Sequence, residues 1–102
     1  MRNIDFENIE QKYDDVLVSK EWKQFEKDFK SSDDIYIVAN GGLWAVGNHA
    51  ADDCTRLFAK AGIKKHISTM ESQCLMTSIA NDYGWNNLFI SWIVNTFILL
   101  RF

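Results

Sequence analysis

The run Ile35-Tyr36-Ile37-Val38-Ala39, followed by Asn40-Gly41-Gly42 and then by Leu43-Trp44-Ala45-Val46-Gly47-Asn48-His49, restricts the fold more than any other part of this chain. An apolar, β-prone segment ends in Asn and two glycines, and an apolar pattern of helical period begins at once. The glycines therefore belong at a strand-to-helix turn. Such turns suit anions, because the free N–H groups and partial positive charge of the helix N-terminus face the ligand, and glycine admits a close backbone approach. A strand that is apolar throughout is expected to be buried on both faces, which predicts an α/β fold with a parallel sheet and helices on each side.

The chain has 102 residues, enough for one hydrophobic core. Its 47% hydrophobic and 25% charged content is that of a globular domain. A net charge of -3 gives no basis for nucleic acid or an anionic membrane as partner. Cys54 and Cys74 stand twenty residues apart without CxxC or zinc-finger spacing. Both are expected to be reduced, half-buried thiols of a cytoplasmic protein. Arg2 to Lys12 is polar and lacks the apolar centre of a signal peptide. Tyr83 to Leu100 carries no charge and Leu88 to Leu100 is strongly apolar, but Ser91, Asn95 and Thr96 interrupt it and the apolar part is too short to span. The expectation is a buried helix, from Trp85 or Asn86 through Trp92, running into a third strand over Asn95 to Leu100.

Residues 5 to 30 place Phe6, Ile9, Tyr13, Val16, Leu17, Trp22, Phe25 and Phe29 mostly at steps of three and four. This predicts one long amphipathic helix or two consecutive ones, with Ser19 as N-cap of the second. The stripe reads either as core-facing or as an interface between subunits. After the glycine turn, a helix is expected from Leu43 to Ala61 with an apolar stripe at Leu43, Val46, Ala50, Cys54, Leu57, Phe58 and Ala61, stopped by Gly62. A short strand near His66 to Thr69 follows, then a helix from Met70 to Ala80 with Ser72 as its cap. Asn81-Asp82-Tyr83-Gly84 reads as a turn.

The glycine turn has neither the Lys-Ser/Thr pair of a P-loop nor GxGxxG spacing, so neither nucleotide fold is supported, and taken alone it also suits a purely structural turn. His49 and Asp53 stand four apart and share one helix face, about 100° from Ala50 and Cys54. That spacing brings an imidazole and a carboxylate to one metal ion, or sets a base beside a ligand. It equally suits a solvated face on which Asp53 pairs with His49 or Arg56. His66, beside Lys64 and Lys65, reads as a surface or strand-edge histidine, and Glu71 carries no assignment.

Two blocks together resemble the sugar isomerase (SIS) domain family, and within it the phosphoheptose isomerases, which interconvert sedoheptulose 7-phosphate and a heptose phosphate. One block is Ala39-Asn40-Gly41-Gly42, with His49 nine residues after Asn40 and an acidic residue four beyond. The other is Thr77-Ser78-Ile79-Ala80-Asn81-Asp82-Tyr83-Gly84, followed by Phe89. The resemblance implies the N-terminal part of a three-layer α/β/α domain, with residues 1–33 as a helical region and 34–102 as the first βαβα portion. It implies that Asn40, Gly41, Gly42, Asp53, Asn81 and Asp82 bind a phosphorylated sugar. It further implies that His49 and Asp53 hold zinc, and that Asp53 acts in proton transfer. A cytoplasmic homo-oligomer, dimer or tetramer, is implied as well, with no nucleic acid or membrane partner.

The chain departs from the family at Leu43, which replaces a serine, and at Asp53, which replaces a glutamate one methylene longer. The family's later Ser/Thr-rich phosphate loop and its late glutamine and histidine have no counterpart before Phe102. The expectation is therefore a truncated member with an unpaired sheet edge. Three functions stay open: a phosphosugar isomerase, a non-catalytic module that binds phosphosugar or a protein, and an inactive fragment that serves in assembly.

Overall fold

The computed structural model describes residues 6–101, with side chains to residue 96. The chain divides into two compact units, Met1–Ser32 and Asp33–Phe102.

The first unit is a pair of helices, α1 (Ile9–Leu17) and α2 (Lys20–Ser31). Ser19 separates them. Its Oγ accepts from the Trp22 backbone N–H at 3.1 Å, and it donates to the Val16 carbonyl at 2.6 Å, closing both helix ends with one side chain. The aromatic residues of α2 stack along one face, with ring centroids 5.1 Å apart for Trp22 and Phe25 and 6.0 Å for Phe25 and Phe29. Neither helix has a buried residue.

The second unit begins with β1 (Asp34–Ile37), continues through α3 (Gly42–Ala61) to β2 (His66–Thr69), and ends with α4 (Gln73–Tyr83), a 3-10 turn (Trp85–Asn87) and α5 (Leu88–Arg101). The strands pair in parallel, with Asp34 opposite His66 and Ile37 opposite Thr69. The His66 N–H adds a bond to the Asp33 carbonyl at 2.8 Å. Parallel strands need a crossover between them, and α3 supplies it. The result is a mixed helix and sheet structure of α/β type with a two-stranded parallel sheet.

Consecutive residues of β1 meet different helices, because strand side chains alternate between faces. Tyr36 meets Trp92 of α5 edge to face, with centroids 5.5 Å apart. Ile37 faces α3, where a Cβ at position 47 would stand 3.0 Å from the Ile37 Cγ2. Gly47 is thus the point at which the crossover helix lies against the strand. The core gathers Met70, Ile79, Leu88 and Trp92, with Tyr36, Trp44, Met76, Phe89 and Ile93 packed around them.

Five expectations need correction. The segment from Asn95 belongs to α5, so there is no third strand among the described residues. The apolar run continues from Leu88 without glycine or proline, and a single α-helix carries it straight through the expected break. Asn81, Asp82 and Tyr83 form the last turn of α4 and the chain turns only at Gly84, whose N–H bonds the Ala80 carbonyl. The inward stripe of α3 is formed by Trp44, Gly47 and Ala51 with Phe58 half-buried beside it, while Leu43, Val46 and Leu57 are exposed. Small residues let the helix sit close to the strands, and this close fit outweighs the size of the side chains turned outward. Cys74 is exposed instead of half-buried, and β1 is half-buried along its length. Both cysteines are free thiols. Among the described residues no helix is long and apolar enough to cross a membrane.

Gly47→Ala is expected to lower stability by on the order of 1 kcal/mol, since overpacking of about 1–3 kcal/mol against Ile37 exceeds a helix-propensity gain of about 1 kcal/mol. Gly42→Ala meets open space and is expected to leave stability unchanged or slightly raised. Urea unfolding followed by circular dichroism separates the two.

Candidate functional site

In a parallel sheet both strands release the chain at the same edge, and ligands of α/β proteins bind there. At this edge β1 leads through Val38 and Ala39 to the glycine turn, and β2 leads through Met70 and Glu71 to the cap of α4. Gly41 takes φ 60 and ψ -135, a conformation open to glycine and not to side-chain-bearing residues, and its carbonyl accepts from the Trp44 N–H at 3.0 Å. No side chain caps the N-terminus of α3. By contrast, Ser72 Oγ accepts from the Leu75 N–H at 3.1 Å and closes the start of α4. Of the two helix starts at this edge, the glycine turn is the one left without a side-chain acceptor.

A cleft of about 230 Å³ opens beside it, lined by Trp44 and Asn48 of α3 and by Met70, Glu71, Ser72, Gln73 and Met76. The Trp44 indole N–H donates to the Met70 carbonyl at 2.7 Å and holds α3 to the end of β2 across the cleft. The Asn48 Oδ1 is buried with no hydrogen-bond donor among the described residues. Buried polar atoms are normally satisfied, so this acceptor is suited to a donor brought by a ligand or water. Ser68 Oγ and Thr69 Oγ1, in the strand leading into the cleft, are unpartnered in the same way. With one carboxylate, two amides and no cation, the described lining suits the hydroxyl groups of a neutral polyol better than a phosphate. An anionic group is better met by the open helix start next to it.

The expected site residues fall into three places. Asn40, Gly41 and Gly42 stand together at the exposed turn. His49 and Asp53 lie on the open face of α3, with Nε2 of His49 3.0 Å from Oδ2 of Asp53. Arg56 holds the other oxygen of Asp53 and also approaches Asp52, at 3.5 Å. The pair does meet, as helical spacing requires, but His49 is 80% exposed and Asp53 43% exposed. His49 lies about 10 Å along the helix axis from Gly42 and Asp53 about 16 Å from it. Asn81 donates to Asp82 at 3.3 Å on the last turn of α4, about 13 Å along that helix from Ser72. The described lining of the cleft contains none of Asn40, Gly41, Gly42, His49, Asp53, Asn81 or Asp82.

Sequence reasoning missed Trp44, Asn48 and Met76 as lining residues and left Glu71 unassigned. A signal existed for part of this. Met70-Glu71-Ser72 follows the second strand as Asn40-Gly41-Gly42 follows the first, and parallel pairing brings both turns to one edge. Nothing local marked Asn48, whose amide reads as an ordinary helix-surface group beside His49.

As a metal chelate, His49 and Asp53 offer two donors at suitable separation, where zinc takes three or four from the protein. Among the described residues no group of three His, Cys, Asp or Glu side chains lies together. Comparison with family models, curated proteins and solved structures finds no match.

Trp44→Phe is expected to lower stability by about 1–3 kcal/mol, because it leaves the Met70 carbonyl unpaired in a half-buried setting. Arg56→Ala removes only exposed ion pairs and is expected to change stability by less than about 1 kcal/mol. Thermal or urea unfolding of both variants checks the ranking.

Proposed function

We propose that this chain is a phosphosugar-binding domain of the SIS type, with aldose–ketose isomerisation of the phosphoheptose isomerase kind as its activity. The observation that carries this reading is the uncapped start of α3, entered through Gly41 at φ 60, opening beside a polar cleft at the carboxyl edge of the parallel strands. The phosphate is assigned to the backbone N–H groups after Asn40-Gly41-Gly42. The sugar hydroxyls are assigned to the cleft, where Glu71 and Asn48 Oδ1 accept hydrogen bonds. The three-layer architecture, the cytoplasmic location and a homo-oligomeric state belong to the same proposal.

The reaction class needs a base that takes the proton from the carbon beside the carbonyl, giving an enediol that is reprotonated on the neighbouring carbon. In this reading the base is Asp53, oriented by His49 and Arg56. Zinc, where bound, would be held by His49 and Asp53 with donors from outside the described residues, and would polarise the carbonyl oxygen. Asn81 and Asp82 are assigned to the sugar end of the substrate.

A second reading, a phosphosugar-binding module without catalysis, is favoured by a specific observation. Both oxygens of Asp53 are occupied by His49 and Arg56, and its place on α3 is about 16 Å along the axis from the glycine turn. Leu43, 70% exposed where the family has serine, supports the same reading.

Turnover of sedoheptulose 7-phosphate by the purified chain, measured beside calorimetric binding of the same sugar, decides between them. The isomerase reading expects turnover that falls at least about 100-fold in Asp53→Asn, with zinc content lost in His49→Ala. Saturable binding without turnover selects the binding module. Absence of both overturns the proposal.

A further inference from the structure

The helix pair of the first unit carries a groove that nothing in the function above uses. Its volume is about 520 Å³, and it is lined by Asp15 and Val16 of α1, by Ser19, and by Glu21, Trp22 and Phe25 of α2. Val16 is 53% exposed and Phe25 52%, so apolar surface lies open to solvent where the two helices meet. The charges around it have one sign. Asp15 and Glu21 stand beside the apolar residues, and the described lining of this groove holds no cation. Glu21 has no hydrogen bond or ion pair among the described residues.

A second hollow adjoins the first, since Glu21 and Phe25 line both, and there Lys20, Gln24 and Asp28 join them. The steps from Glu21 to Phe25 and from Phe25 to Asp28 are four and three. These three residues therefore share one face of α2, with the two carboxylates about 10 Å apart along the axis. Acid, aromatic and acid in this order are complementary to a helix that presents a cation, an apolar side chain and a cation. We propose that this face docks a basic amphipathic helix of a partner protein, with arginine or lysine two turns apart and leucine-like residues between them.

The apolar side chains of that helix fill the groove against Val16, Trp22 and Phe25. One cation reaches Glu21 and Asp15, and the other reaches Asp28. A cation over the face of Trp22 or Phe25 gains a further attraction from the ring. Helices that lie in apolar grooves are held by anchors at three- and four-residue steps, and opposite charges at the rim select the partner. The lysines of α2 do not supply the complementary face to a second copy. Lys20, Lys23, Lys27 and Lys30 follow at steps of three, four and three, on the side of the helix away from Trp22, Phe25 and Phe29, with no apolar residue among them.

The test uses the 15N-labelled full chain and a synthetic helical peptide of about 20 residues. The peptide carries Arg at i and i+7 and Leu at i+3 and i+4, a pattern that reads the same in both directions and so serves either helix polarity. Saturable shifts are expected at the Trp22 indole and at the amides of Val16 and of residues 21–28. The affinity is expected to fall at least about five-fold between 50 and 500 mM salt. Asp28→Lys is expected to weaken binding by at least about five-fold, and a cation near the end of α2 keeps the helix intact, which circular dichroism checks. Glu21→Gln serves the same purpose should Asp28→Lys not fold. Absence of these shifts, equal binding of a peptide with Glu in place of Arg, or unchanged affinity in the variants overturns the proposal. The same shifts on concentrating the chain without peptide would make a second copy the occupant and overturn it equally.

Discussion

The close contact of α3 with β1 at Gly47 is the constraint on which the second unit depends. A parallel pair of strands has no hairpin to fix it, so its register rests on how the crossover helix lies across it. With no side chain at position 47, the helix comes down onto Ile37, and Ala51 follows one turn later. This depth brings the indole of Trp44 to the Met70 carbonyl and tethers the helix start to the end of β2. The glycine turn, the Trp44 tether and the cap at Ser72 therefore come to one edge because a small residue sits a turn further along α3. Tyr36, on the opposite face of β1, then meets Trp92 and joins the sheet to the core of α4 and α5.

Features with local causes were legible in the sequence. Ser19 and Ser72 cap the helices they precede, Gly62 stops α3 with a left-handed turn in which the Ile63 N–H bonds the Phe58 carbonyl, and β2 covers His66–Thr69. Each depends on a side chain or backbone freedom within a few residues. The inward face of α3 was not legible, because Leu43, Val46 and Leu57 outrank Gly47 and Ala51 in hydrophobicity while the strands select for closeness. The continuation of α5 through Asn95 was hidden for a related reason. An apolar run of this length fits a buried helix or a strand equally by periodicity, and only its packing partners decide.

The candidate site shows the same division. Helical spacing alone was enough to bring His49 to Asp53, and the geometry agrees at 3.0 Å. Which way that pair faces depends on the rotation of α3 about its axis, which only packing reveals. It faces open solvent beside the exposed apolar stripe, while Asn48, one residue earlier, lines the cleft and carries a buried side-chain oxygen. A single helix thus carries two chemically different faces. One belongs to the sheet edge and its polar cleft, and the other to the ion pairs and the exposed Leu43, Val46 and Leu57.

The central claim is that the carboxyl edge of the parallel strands binds a phosphorylated sugar, phosphate at the glycine turn and hydroxyls in the cleft. Titration of the 15N-labelled chain with sedoheptulose 7-phosphate, followed by amide and indole NMR shifts, addresses it most directly. The account predicts saturable shifts at the amides of Gly41 to Trp44, the Trp44 indole and the Asn48 side chain, with inorganic phosphate moving only the backbone group. Shifts absent from these positions, or confined to α1 and α2, would contradict it.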